Sequence, residues 1–251
     1  MGKINQLLKD WRHGTIKLSS ELRAKGYQTD LLNRYLKSGW LESMGYGAYK
    51  RANDKVEWFG ALQALQDQTG LNIHPGGKTA LAYKGYSHYL LRESARIQLF
   101  GSSNENLPKW FKDQSWMSTI KYVQTNLFDY DKMEAFSTQD LDNIKIKISA
   151  PELAVMEMLY LVPKEETFDE AFKIFESLTT LRYKVVQNLL SDCRSIKVKR
   201  LFLFMAEKNG HTWFNELDLD RINLGSGKRE IVKSGVLDKK YQITVPGDYA
   251  E

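Results

Sequence analysis

The chain has 251 residues, 42% of them hydrophobic and 27% charged, with a net charge of +5, a balance that carries a buried core and excludes intrinsic disorder. Its longest apolar run, LFLFMA (201–206), is far below the roughly 20 residues of a membrane span. A single cysteine, Cys193, excludes an internal disulfide, and the opening MGKINQLLKDW has no apolar signal-peptide core, so a cytoplasmic protein without membrane contact is expected.

Charge is uneven along the chain. Residues 1–60 hold 11 Lys and Arg against 6 Asp and Glu, residues 61–193 hold 14 against 17, and residues 194–240 hold 11 against 6. Basic charge at both ends of an acidic middle is what phosphate backbones attract.

Ile4, Leu7, Leu8 and Trp11 recur at helical spacing and predict a helix over 3–12, ended by Gly14. SSELRAKG predicts a second, with Ser19 or Ser20 as cap and Gly26 as terminator. TDLLNRYLKSG predicts a third, capped by Thr29 and closed by Gly39. Its buried stripe is Leu31, Leu32, Tyr35 and Leu36; Asp30, Asn33, Arg34 and Lys37 form the opposite face. WLESMGYGAYKR then predicts two short strands around a Gly-rich turn. Three helices followed by a hairpin make a winged helix-turn-helix, whose second paired helix enters the major groove of DNA.

Beyond it, VEWFGALQALQDQTG (56–70) predicts an amphipathic helix, GGKTALAYKGY a shorter one, and ARIQLFG (95–101), MSTIKYVQTNLF and NIKIKIS strands. SAPE (149–152) and TFDE (167–170) have the form of capping boxes. Helices follow at about 150–161, 168–178, 182–192 and 196–208, then a tail of strands and turns. The fold class is α+β: a winged helix-turn-helix with its following helix (1–70), then a larger mixed domain of antiparallel strands and a helical bundle (71–251).

Catalytic motifs fail on their spacing. GGKT (76–79) has Asn72 where a phosphate-binding P-loop needs glycine, and GSGKR (225–229) has Ile222 there and Arg229 after Lys228. His13, His74, His88 and His211 share no metal-ligand spacing. The pairs Asp129/Asp131, Asp140/Asp142 and Asp218/Asp220 lack an upstream Gly-Ser turn close enough to serve a nucleotidyltransferase. Asp238 and Lys240 form half of a nuclease pattern. No enzyme activity, metal or cofactor is therefore expected.

YLKSGWLESMGYGAYKR and WFGALQALQDQTGLNIHPGGKTALAYKGYSHYL resemble the AbiEi antitoxins of type IV abortive-infection toxin–antitoxin systems. The similarity continues through SAPELAVMEMLYLVP, TFDEAF, VKRLFLFMAEKNGHTWF and LGSGKREIVKSGVLDKKYQITVP, about residues 3–246 in all. The resemblance implies a winged helix that binds inverted repeats in its own promoter and represses it. It also implies a C-terminal domain that opposes a partner nucleotidyltransferase toxin without needing a stable complex.

On this reading Thr29, Asn33, Arg34 and Lys37 face DNA, with Arg34 suited to guanine and Asn33 to adenine. Tyr46, Lys50 and Arg51 are expected on the wing, the two cations holding phosphates, and Trp40 at its base. A second basic group, Lys197, Lys199, Arg200, Lys228 and Arg229, is expected to be the toxin-neutralising patch. The alternative is a winged-helix regulator whose second domain senses a ligand or protein.

Overall fold

In the structure, a computed structural model, residues 2–86 and 96–250 are described; His88 and Ala95, the first residue of the predicted 95–101 strand, lie outside them. Contacts divide the described residues into two units. The first takes residues up to 74 together with 96–124 and 138–147; the second takes 75–86, 125–137 and 148–250. The first unit is thus larger than the expected 1–70 domain, because two later segments join it.

The first unit opens with α1 (Lys3–Lys9), β1 (Lys17–Leu18), α2 (Ser19–Ala24), α3 (Thr29–Lys37), β2 (Leu41–Gly45) and β3 (Ala48–Arg51). This is a winged helix. Helix α1 is shorter than predicted because Trp11 turns inward, only 1% exposed, and donates its indole N–H to the Thr15 carbonyl at 3.2 Å. Leu7, Trp11, Leu22, Leu32, Tyr35 and Leu41 form the core. Gly26 and Gly39, with φ +84° and +67°, follow the ends of α2 and α3 as predicted.

The predicted caps are displaced by one residue. Leu18 and Gln28 take the N-cap positions, and neither Ser19 nor Thr29 caps through its side chain. The sheet order is β1-β3-β2, all antiparallel, with Lys17 opposite Tyr49 and Leu18 opposite Ala48. A two-residue strand such as β1 has no periodicity of its own; β3 supplies its pairing.

Helix α4 (Trp58–Thr69) ends at left-handed Gly70. Its Gln68 clasps β1, accepting from the Leu18 N–H and donating to the Ile16 carbonyl, both at 2.8 Å. After it come β4 (His74–Pro75), α5 (Gly77–Tyr83), β5 (Arg96–Ser102), α6 (Lys109–Lys112), β6 (Thr119–Thr125), β7 (Phe136–Leu141) and β8 (Ile144–Ser149). Strands β4-β5-β6 form one sheet and β7-β8 another. The β7-β8 turn places Asp142 and Asn143 at φ +50° and +64°, a conformation these two residue types tolerate.

The second unit holds α7 (Pro151–Leu161), α8 (Phe168–Glu176), α9 (Tyr183–Asp192) and α10 (Ile196–Lys208), within one residue or two of prediction. A small sheet follows, of β9 (Arg229–Glu230), β10 (Val236–Asp238) and β11 (Ile243–Val245), in the order β10-β11-β9. Thr167 caps α8 as expected, accepting from the Glu170 N–H at 3.2 Å. SAPE does not form a capping box. Ala150 is the N-cap, and Ser149 donates instead to Glu157 at 2.8 Å.

Glu152, 2% exposed, receives two bonds from the Arg182 guanidinium and one from its backbone N–H. Burial alone would raise the Glu152 pKa, but Arg182 outweighs it and holds the carboxyl below its ordinary 4.5. A depressed carboxyl stabilises the fold above the unfolded-state pKa and loses that contribution as pH falls through the folded one. Arg182→Ala should therefore cost about 1–3 kcal/mol at neutral pH, moderated by the retained backbone bond and the half-exposed guanidinium. In urea melts the gap from the parent should narrow below pH 4; a gap constant across pH would contradict the pairing.

Candidate nucleic-acid interface

Helix α3 sorts its residues by the 3.6-residue period. Leu32 and Tyr35 are buried, whereas Thr29, Asn33, Arg34 and Lys37 are all exposed. Thr29, Asn33 and Lys37 lie four apart and form one row; Asp30 and Arg34 form the row beside it. The face thus presents an amide, a guanidinium and an ammonium within two turns. Such groups can bond base edges in a major groove, Arg to guanine and Asn to adenine, at about 1–3 kcal/mol of discrimination per bidentate pair. Arg34 and Lys37 also complement the helix dipole in its last turn.

The wing turns through Tyr46 and Gly47, and Tyr46 is 100% exposed at its tip. Two expectations for the wing are corrected. Lys50 is turned onto its own hairpin, paired with Glu42 at 2.9 Å and donating to the Asp54 carbonyl at 2.8 Å. Arg51 reaches back to α1 and donates to the carbonyls of Trp11, at 2.8 Å, and Leu8, at 3.3 Å. Both cations brace the wing from within, so Lys50→Ala should loosen the hairpin rather than change the salt dependence of DNA binding. Trp40 does not plug the base of the wing; it is 48% exposed, directly after α3.

In the second unit the expected basic patch is largely internal. Lys199 and Arg200 are 4% and 3% exposed. Lys199 donates to the Ser191 carbonyl at 3.3 Å, and Lys197 to the carbonyls of Tyr160, at 2.7 Å, and Val162. Burial, with Lys164 nearby, pushes the Lys197 ammonium down to about 8. Arg200 spends its guanidinium on the carbonyls of Leu224, Gly225, Gly227 and Gln242. Lys228 and Arg229 alone of the five remain exposed. The signal for this lay in LFLFMA: a helix apolar on every side is buried, and cations at its start must find acceptors inside.

The other motif fragments are also occupied by the protein's own groups. The N–H of Gly77 in GGKT bonds Glu157 at 3.1 Å, a fully buried carboxyl that also accepts from Ser149 and Tyr130. Lys78 pairs with Glu166 at 2.5 Å and Glu170 at 2.9 Å. Asp238 accepts the Tyr241 N–H at 2.6 Å, and Lys240 pairs with Glu207. Burial raises the Cys193 thiol to about 11, which suppresses its thiolate. No His, Cys, Asp or Glu cluster among the described residues could hold a metal ion. A cavity of about 720 Å³ lies in the second unit, with Asp129, Lys132, Glu134, Arg194 and Arg221 on its walls. None of the described helices is long and apolar enough to cross a membrane.

A family model described as the AbiEi antitoxin N-terminal domain of a transcriptional regulator matches residues 1–92. A second, described as transcriptional regulator, AbiEi antitoxin, type IV TA system, matches residues 94–246. No curated protein matches the chain. Among solved structures, that of the RV2827C protein from Mycobacterium tuberculosis superposes with a TM-score of 0.62 over 96% of this chain and 88% of that one. At 14% identity the likeness concerns the fold alone.

Proposed function

We propose that this chain, which belongs to the AbiEi antitoxin family of type IV toxin–antitoxin transcriptional regulators, represses its own operon and opposes a partner nucleotidyltransferase toxin. Residues 1–70 read inverted repeats of double-stranded DNA in the promoter. Residues 71–251 counteract the toxin, without requiring a stable complex, in the cytoplasm. The observation that carries the DNA-reading half is the exposed polar face of α3, in a winged helix whose wing tip, Tyr46, is also fully exposed. Asn33 and Arg34 contact bases, Thr29 and Lys37 the flanking phosphates, and Tyr46 the backbone beside the wing. The transferase chemistry belongs to the partner, and this chain needs no catalytic group.

The experiment has two readouts in the same cells: a reporter driven by the native promoter, and survival when the toxin is induced. The full chain should silence the reporter and restore growth. Asn33→Ala combined with Arg34→Ala should release the reporter at least about tenfold, one to two base contacts' worth, while leaving growth restored. Failure of the full chain to restore growth would remove the antitoxin half. The second reading, a regulator whose second domain senses a ligand, would then be favoured by the open cavity of about 720 Å³.

A further inference from the structure

The GSGKR segment (225–229) is fully on the surface, yet its backbone is fixed from beneath by a buried cation. The Arg200 guanidinium bonds the carbonyls of Leu224 at 2.8 Å, Gly225 at 3.1 Å and Gly227 at 2.5 Å. In a trans peptide the carbonyl and the following N–H point in opposite directions. Each carbonyl turned in toward Arg200 therefore turns the next N–H out. The outward N–H groups are those of Gly225, Ser226 and Lys228.

The first of these is already taken, since Gly225 donates to the Asn223 side-chain oxygen at 2.8 Å. The N–H groups of Ser226 and Lys228 have no acceptor among the described residues. Positive φ at Gly225 (+61°) and Gly227 (+71°) makes the alternation possible, and Gly225 rests against Ile196, which a Cβ there would meet at 3.2 Å. Two unbonded backbone amides turned outward on one turn, one on either side of Gly227, present fixed partial positive charge to an anion.

The same exposed segment carries the Ser226 hydroxyl and the Lys228 and Arg229 side chains. The Arg229 guanidinium is anchored on the Lys228 carbonyl at 3.0 Å and would lie 3.8 Å from a Cβ at Gly227. Glu230 is the next residue, but successive side chains of a strand leave on opposite faces, which separates it from Arg229. The buried Arg200 adds a fixed positive charge directly under the loop.

We propose that the 225–229 loop is a phosphate-binding site, in which the Ser226 and Lys228 amides hold the phosphate oxygens and the Lys228 and Arg229 side chains neutralise them. Charge-assisted bonds from amides and cations to one anion are the strong class of hydrogen bond. The phosphate can come from a free polyphosphate such as a nucleotide's or from a nucleic-acid backbone. The assignment stands on loop geometry and does not depend on the toxin reading.

The test uses the full chain, isotopically labelled, with amide NMR shifts read for Ser226 and Lys228. Inorganic triphosphate is titrated in one arm and a duplex DNA of scrambled sequence in the other. Saturable movement of those two amides is expected in at least one arm, and the arm that saturates at the lower concentration identifies the source. Lys228→Ala with Arg229→Ala should weaken that binding about tenfold or more. Lys173→Ala with Lys184→Ala, which removes two exposed cations elsewhere in the same unit, should leave it unchanged. Unmoved loop amides in both arms, or equal weakening in both double variants, would overturn the proposal.

Discussion

Replacing Arg200 by alanine should destabilise the protein by about 3–5 kcal/mol, the range found when one partner of a buried, charge-assisted network is removed. The guanidinium is 3% exposed and serves the carbonyls of Leu224, Gly225, Gly227 and Gln242 at 2.5–3.2 Å. Alanine leaves those acceptors facing an apolar helix, where each unsatisfied carbonyl costs about 1–3 kcal/mol unless the loop opens to water. Opening the loop would in turn release the Arg229 N–H from the Gln242 carbonyl, a bond of 2.9 Å that starts β9. Urea denaturation reads the loss directly. Lys228→Ala, on the same loop but exposed, should stay within about 0.5 kcal/mol of the parent. Equal small effects from both would mean that Arg200 is a surface charge, as its place in a basic sequence cluster suggests.

The second large effect is expected at Gly60, in the first turn of α4. Helix propensity alone favours alanine there by about 0.5–1 kcal/mol. A Cβ at Gly60, however, would lie 1.8 Å from the Gly14 carbonyl oxygen. The Gly14 turn cannot easily retreat. Its N–H is held by Asp54 at 2.8 Å, and the Ile144 Cδ1 stands close to both glycines, 3.3 Å from a Cβ at Gly14 and 3.5 Å from one at Gly60. Gly60→Ala should therefore destabilise by about 3 kcal/mol or more, the upper range of overpacking. Differential scanning calorimetry checks it; a rise in Tm would show that propensity wins and that the helix and turn are not in contact.

These two positions show where sequence reasoning stops. The winged helix was legible because α3 sorts apolar and polar residues at one period and glycines close α2 and α3. The outward placement of Asn33, Arg34 and Lys37 follows from that same period. Thr167 caps α8 because its neighbours are local. Arg51, Lys197 and Arg200 were not legible, because their acceptors are backbone carbonyls 24–43 residues away, and Lys50 was not because its partner Glu42 lies across the hairpin. A carbonyl has no residue signature. Ser149 and Glu152 look like a capping box and are drawn instead to the buried Glu157 and to the exposed Arg182, 30 residues on, which outcompete a helix end. Strands β1 and β7 take their structure from pairing: one is two residues long, and the other, FSTQDL, lacks a clear alternation.

In the proposed function, α3 reads DNA. The measurement that tests it most directly is fluorescence anisotropy of the full chain against a labelled duplex of its own promoter repeats and a scrambled duplex, in one buffer. The parent should prefer the promoter duplex, and Arg34→Ala should lose about 1–3 kcal/mol of that preference, roughly 5- to 150-fold, with little change on the scrambled duplex. Equal promoter affinity for the parent and Arg34→Ala would contradict the account.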